Sequence, residues 1–306
     1  MATATGIHHF GMTVSDIGAS RDWYGRVFGL IGGKGATGEG EIIEEFLEVP
    51  GANMEALFLG LGDAHLELIQ YYEPRVDSHQ QLEENDAGAA HVCFRVADIQ
   101  AAHAALVAEG VEVVREPFEV PEGEMGGYWI LRLHDPDGFR IELFQAPGEG
   151  AETDAALPVE PLAFDHIGLT VPDLERSVEW YTKLFSMSAG PRADGSGEVV
   201  SDLLEVPGTD LRAAFLEAGP HKLELTEFRS PPGKPFTRSN NEIGANHPCF
   251  IVDDIEAVTK DLLDGGGHAN GEVLPAVGDL QGYKVLYFRD PDGIQLEMFE
   301  LPKGDR

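Results

Sequence analysis

The sequence predicts an α+β protein of four βαβββ modules, arranged as two tandem domains whose curved, mixed sheets form cups. Three observations predict this. The chain repeats itself about halfway along. Each half shows the same order of strand and helix patterns twice. Each of the resulting quarters opens on a strand histidine and closes on a strand glutamate.

The repeat comes first, because self-similarity at a fixed period decides the architecture. VSDIGASRDWYGRVFGL at residues 14–30 aligns with VPDLERSVEWYTKLFSM at 171–187, with Trp23 and Trp180, and Tyr24 and Tyr181, 157 apart. LEVPG at 47–51 returns at 204–208, and DPDG at 135–138 returns at 290–293, now 155 on. Domains over 1–147 and 162–306 follow. They are joined by a linker over 148–161 that is rich in Pro, Gly and acid and has no periodicity.

In the first half, IHHFGMTV reads as a strand and residues 17–30 as a helix, with Ser15 and Asp16 as cap candidates. Strands are expected over 44–49, 55–59 and 65–71. AHVCFRV opens the second module, Asp98 caps a helix over 99–109, and Gly110 stops it. Strands over 111–115, 128–133 and 139–145 complete the half, and the second half repeats the order. Segments 117–127 and 231–244, rich in Gly and Pro, are expected as loops over the sites.

Composition narrows the partners. The chain has 54 acidic and 21 basic residues, a formal charge of −33, spread over both halves. Such a surface repels nucleic acid and anionic membrane. No run of about 18 apolar residues is present, and the start, MATATGIHHF, lacks the basic and apolar regions of a signal peptide. A cytoplasmic monomer or homodimer is expected. Cys93 and Cys249, one per half, read as small apolar filling rather than a disulfide.

Strand alternation carries the functional reading. LEL, IEL, LEL and LEM each hold one glutamate, Glu67, Glu142, Glu224 and Glu297, between two apolar residues. With a period of two, the apolar pair faces the helices and the glutamate faces the concave side. One such glutamate is ordinarily a solvated strand residue; four at matching positions are not. The complement is His9, His91, His166 and His247. Spacings of 58, 24 and 51 residues from His9 through Glu67, His91 and Glu142 return as 58, 23 and 50 from His166 through Glu224, His247 and Glu297. Two imidazoles and two carboxylates suit a divalent ion such as Zn, Ni, Co, Mn or Fe(II), up to two per chain. The simplest grouping puts each four within one half. Modules exchanged between halves or subunits would instead bring His9 and Glu67 to His247 and Glu297. His8, His65 and His103 lack histidine counterparts and read as structural or surface residues.

H-x-G at residues 9–11 and 166–168, the D-x-x-x-S-x-x-W-Y helix and the DPDG-x-x-I/L-E closing strand cover nearly the whole chain. In these the chain resembles the vicinal oxygen chelate superfamily, which includes glyoxalase I, methylmalonyl-CoA epimerase, extradiol dioxygenases and resistance proteins. The resemblance implies metal-binding cups, a small-molecule substrate with adjacent oxygens, and a metal that stabilises negative charge as it develops. A carboxylate at the second ligand position of both halves is similar to glyoxalase I and the epimerase. A metal-dependent lyase or isomerase forming an enediolate or enolate is therefore expected, with Glu67 or Glu142, and Glu224 or Glu297, as proton shuttle. The epimerase's additional glutamate maps to Glu45, where an exposed residue of an acidic strand is the commoner reading. An Fe(II) extradiol ring-cleavage dioxygenase and a non-catalytic small-molecule-binding or resistance protein are the alternatives.

Overall fold

A computed structural model describes residues 3–62, 64–76, 81–150, 157–276 and 280–302. Of the expected linker, residues 151–156 lie outside the described residues. The first module comprises β1 (Ala4–Thr13), α1 (Ile17–Phe28), β2 (Ile31–Glu39), a short α2 (Glu41–Leu47), β3 (Asn53–Leu61) and β4 (Ala64–Glu73). The second has β5 (Ala90–Arg95), α3 (Ile99–Ala108), β6 (Phe118–Glu119), β7 (Trp129–His134) and β8 (Arg140–Gln145). The third repeats the first: β9 (Ala163–Thr170), α4 (Leu174–Phe185), β10 (Ser188–Ser196), α5 (Glu198–Leu203), β11 (Asp210–Ala218) and β12 (His221–Ser230). The fourth has β13 (Asn246–Val252), α6 (Ile255–Asp264), β14 (His268–Ala269), β15 (Leu274–Pro275), β16 (Lys284–Arg289) and β17 (Gln295–Glu300).

Each long helix starts where an aspartate side chain accepts a free backbone N–H of the first turn: Asp16 from Ala19, Asp98 from Ala101, Asp173 from Arg176 and Asp254 from Ala257. Two segments depart from expectation. Residues 44–49 are not a strand, because Ile43, Phe46 and Leu47 share a helical rather than an alternating period and Glu41 and Glu44 favour the first turn of α2. The strand β2 carries Gly32, Gly33, Gly35 and Gly38, which conceal its pairing with β3. Residues 111–115 contribute only an isolated bridge, Val113 to Leu133.

The strands form two sheets, and each takes one module from each half. One runs β14-β16-β17-β13-β1-β4-β3-β2, with β15 beside β16; the other runs β10-β11-β12-β9-β5-β8-β7-β6. The seams are antiparallel, β1 with β13 and β5 with β9, whereas β4, β8, β12 and β17 run parallel to the first strand of their module. The sheets are therefore mixed.

Within a half, the modules are joined through their helices. Tyr24 of α1 donates to Asp135 of the first DPDG turn at 3.0 Å, and Tyr181 of α4 donates to Asp290 of the second at 3.2 Å. Gly138 and Gly293 in those turns have φ near +80°, as the motif requires. One apolar cluster, including Phe10, Tyr24, Phe28, Phe94, Tyr181, Phe185 and Phe250, spans helices and sheets of both halves. Burying it supplies the main driving force for the assembly.

Candidate metal centres

Registry places the eight histidines and glutamates. In the first sheet Gly11 lies between His247 on β13 and Glu67 on β4, while His9 lies beside Cys249, which lies beside Glu297. All of these point to one face. The second sheet repeats the pattern: Gly168 lies between His91 and Glu224, and Cys93 between His166 and Glu142. The glycine of each H-x-G motif has a steric role. A β-carbon on Gly11 would overlap the His247 ring, and one on Gly168 the His91 ring.

The quartets are thus His9, Glu67, His247, Glu297, whose donor atoms all lie within 4.8 Å of one another, and His91, Glu142, His166, Glu224, in which this holds for the first three and Glu224 stands beside the two imidazoles. Of the two groupings left open by the sequence, the one across halves is found and the simpler one within a half is not, because β1 and β5 lie in different sheets and each pairs with a strand of the other half. Both quartets are completed within one chain.

In the first cup, His9 Nε2 lies 2.9 Å from Glu297 Oε2 and 3.3 Å from Glu67 Oε2. His247 Nε2 lies 3.3 Å from Glu67 Oε2 and 3.5 Å from Glu297 Oε2, and the two Nε2 atoms are 3.3 Å apart. Donors about 2.05 Å from a common ion stand about 2.9 Å apart in octahedral and about 3.4 Å apart in tetrahedral arrangement. The residues present fit such an ion. Glu67 Oε2 and Glu297 Oε2 are buried and face only the two imidazoles, accepting no well-directed hydrogen bond, a costly state for carboxylate oxygens unless a metal ion or a protonated imidazole balances their charge.

In the second cup, His91 Nε2 and His166 Nε2 are 3.4 Å apart and lie 3.4 and 3.5 Å from Glu224 Oε2. Glu142 Oε1 is 3.5 Å from His166 Nε2 and 3.9 Å from His91 Nε2. Its other oxygen accepts from Arg132 Nε at 2.9 Å.

Charge follows this geometry. Burial alone would lower His9, yet Glu67 and Glu297 hold it up at about 9. His247 and His166 are raised too, against their burial, His247 by Glu297 and Glu67 and His166 by the surrounding cup, including Asp165 and Glu142. Burial pushes Glu67 and Glu224 up, but the imidazoles win and hold both well below the usual carboxylate range. Burial raises the thiols of Cys93 and Cys249, which are free and neutral beside the quartets.

Several site residues escape a search for repeats. His8 Nδ1 lies 2.8 Å from His9 Nδ1, where the second half places Asp165 Oδ1, 3.0 Å from His166 Nδ1. Groups at Nδ1 orient an imidazole so that Nε2 faces the cup, so His8 is more than a surface residue. Arg132, Arg140 and Glu84 line the second cup, and Tyr287 the first; mismatches between aligned halves were the signal that could have found them. Glu45 lies exposed on α2, outside both quartets. Segment 231–244 is pinned to its equivalent in the first half: Asn85 donates to the Pro231 carbonyl, and Ala87 N–H to that of Lys234. A cavity of about 920 Å³ beside Arg115, Glu198, Asp202 and Glu205 touches none of the eight.

Paired cups of imidazole and carboxylate, each shared between βαβββ modules of the two halves, characterise the fold. The chain belongs to the Glyoxalase/Bleomycin resistance protein/Dioxygenase superfamily, which it matches over residues 6–143 and 163–298. It is 27% identical over 310 residues to a lactoylglutathione lyase of Schizosaccharomyces pombe, covering 96% of each chain. It is 31% identical over 149 residues, 47% of this chain and 81% of the other, to a 2-epi-5-epi-valiolone epimerase of an Actinomyces species. Its fold is similar to that of glyoxalase I from Zea mays, with a TM-score of 0.66 at 22% identity over 98% of this chain and 92% of that one. Among the described residues, no helix is long and apolar enough to cross a membrane.

Proposed function

We propose that this chain is a divalent-metal-dependent lyase or isomerase that moves a proton next to a carbonyl of a small molecule with adjacent oxygens. One observation carries the reading: four donors converge in the first cup at 2.9–3.5 Å, with two buried carboxylate oxygens that accept no well-directed hydrogen bond. The relatives named above, a lyase and an epimerase, support a lyase or isomerase reading. When bound, the metal would polarise the substrate oxygens and favour negative charge on them.

The residues supply the rest. His9, Glu67, His247 and Glu297 would hold one ion, and His91, Glu142, His166 and Glu224 another. His8 and Asp165 orient His9 and His166. Glu67 or Glu297 would take up and return a proton in the first cup, since the Oε2 of each faces only the imidazoles and is held by no arginine. Glu142 is tied to Arg132 and less free to do so. Two carboxylates per cup favour this chemistry over ring cleavage, which uses a two-histidine, one-carboxylate site with open positions.

The test is metal analysis of the purified chain together with assays on a hemithioacetal and on an acyl-CoA epimer. Up to two equivalents of metal, and activity abolished by chelation and restored by metal, are expected. A chain that neither contains nor takes up metal would favour a binding protein instead.

A further inference from the structure

We propose that the two cups bind divalent metal with unequal strength, the His9–Glu67–His247–Glu297 cup more tightly, and that the buried Arg132, fixed by Glu84, sets the difference. This rests on the metal reading above and goes beyond it, since the repeat alone predicts two equal sites.

At the Nδ1 side the second half has Asp165 paired with Lys222 at 3.0 Å, a neutral pair, where the first has His8 and His65. Three further equivalent positions around the cups differ in charge. Arg132 on β7 faces Glu142, and Tyr287 on β16 faces Glu297. Arg140 stands two residues before Glu142, and Gln295 two before Glu297. Glu84 and Asn240 each lie seven residues before a cup histidine, and each backbone carbonyl accepts a threonine hydroxyl, from Thr170 and Thr13. The second cup is therefore walled by a buried ionic triad. Arg132 Nη1 pairs with Glu84 Oε1, and Arg140 Nε lies 2.8 Å from Glu84 Oε2. The first cup has a neutral wall, in which Asn240 donates to Gln295 at 3.3 Å and the Tyr287 hydroxyl lies 3.0 Å from His247 Nε2. Its net charge is zero, against one positive charge for Glu84, Arg132 and Arg140 together.

That charge disfavours a second cation in a poorly screened site. Two geometric features act in the same direction. Arg132 Nε holds one oxygen of Glu142, and the longest imidazole–carboxylate distance there is 3.9 Å against 3.5 Å in the first cup. Arg132 Nη2 also stands 3.2 Å from His91 Nδ1. An imidazole that ligates through Nε2 carries its proton on Nδ1, so two N–H donors would face one another. At the equivalent place His247 meets the uncharged Tyr287 hydroxyl, 3.4 Å from Nδ1 and 3.0 Å from Nε2, which can accept as well as donate.

The experiment is a titration of the metal-stripped full chain with Zn(II) in competition with a chromophoric chelator. Two constants about tenfold or more apart are expected from one uncompensated buried charge. His9→Ala removes the tighter and His91→Ala the weaker. The triple variant Glu84→Asn, Arg132→Tyr, Arg140→Gln, which copies the neutral wall, brings the weaker constant towards the tighter and leaves the tighter unchanged. Equal constants, or the reverse assignment, would overturn the inference. An unchanged gap in a folded triple variant would overturn the role given to Arg132. The single-histidine assignment leaves the wall intact, so it decides the order even where the triple variant does not fold. Absence of zinc from both cups would overturn the metal reading itself, and this inference with it.

Discussion

Gly11 faces His247 across the seam of the first sheet, and the imidazole occupies the space a side chain at position 11 would need. Gly168 and His91 repeat the relation across the other seam. The H-x-G motif thus encodes a cross-strand vacancy, with the ligand it admits coming from the other half of the chain. Gly11→Ala is expected to displace His247, destabilise the fold by about 1–3 kcal/mol as over-packing does, and remove one metal equivalent. Gly168→Ala should remove the other. Thermal melts with metal quantification check both, and retention of two equivalents in either variant would contradict the assignment.

The exchange of modules makes a second prediction, about which losses combine. Glu142 and His166 belong to different halves but one quartet, whereas Glu142 and His9 belong to the same half and different quartets. Glu142→Gln should cost one metal equivalent. Adding His166→Ala should cost no more, because members of one site are not independent. Adding His9→Ala instead should leave the chain without metal. The opposite pattern would restore the within-half grouping.

The limits of the sequence are visible in the same residues. Alternation around Glu67, Glu142, Glu224 and Glu297 discloses which face each takes, since a strand has only two. It carries no information on which strand lies alongside, so the grouping stayed open. The helix α2 was hidden because its apolar residues precede LEVPG in a run that also suits a strand. Arg132 and Glu84 were hidden for a different reason. Each reads singly as an ordinary surface charge, and only the fold brings them together in a buried pair.

Proton and metal compete for the cups, which gives a pH dependence of definite sign. In the metal-free chain His9 is held at about 9 in the folded state, above the ordinary histidine value of about 6.5. Its contribution to stability is therefore complete below about 6.5 and is lost as pH rises through about 9. His247 and His166, also raised, act in the same sense. Metal-stripped protein should melt at progressively lower temperature between pH 6.5 and 9. Metal-loaded protein should not, because the ion takes the place of the protons. Parallel melting profiles with and without metal would count against the cups as metal sites.

The DPDG turns provide a titration away from the quartets. Asp135 is buried and accepts hydrogen bonds from the Asp137 and Phe139 N–H groups and the Tyr24 hydroxyl. Burial nevertheless pushes it up to about 7, with Asp137 adding to the rise. For a carboxyl raised in the folded state, the contribution is present below the unfolded value and is lost as pH climbs through the folded one. Stability should fall between about pH 4 and 7 by up to about 1.4 kcal/mol per pH unit from this group. Asp135→Asn keeps the two backbone contacts and removes the charge. The variant should therefore gain on the wild-type chain as pH rises from 5 to 8, measured by urea unfolding at matched temperature. A stability difference that is flat across that range would show that Asp135 titrates no differently folded than unfolded.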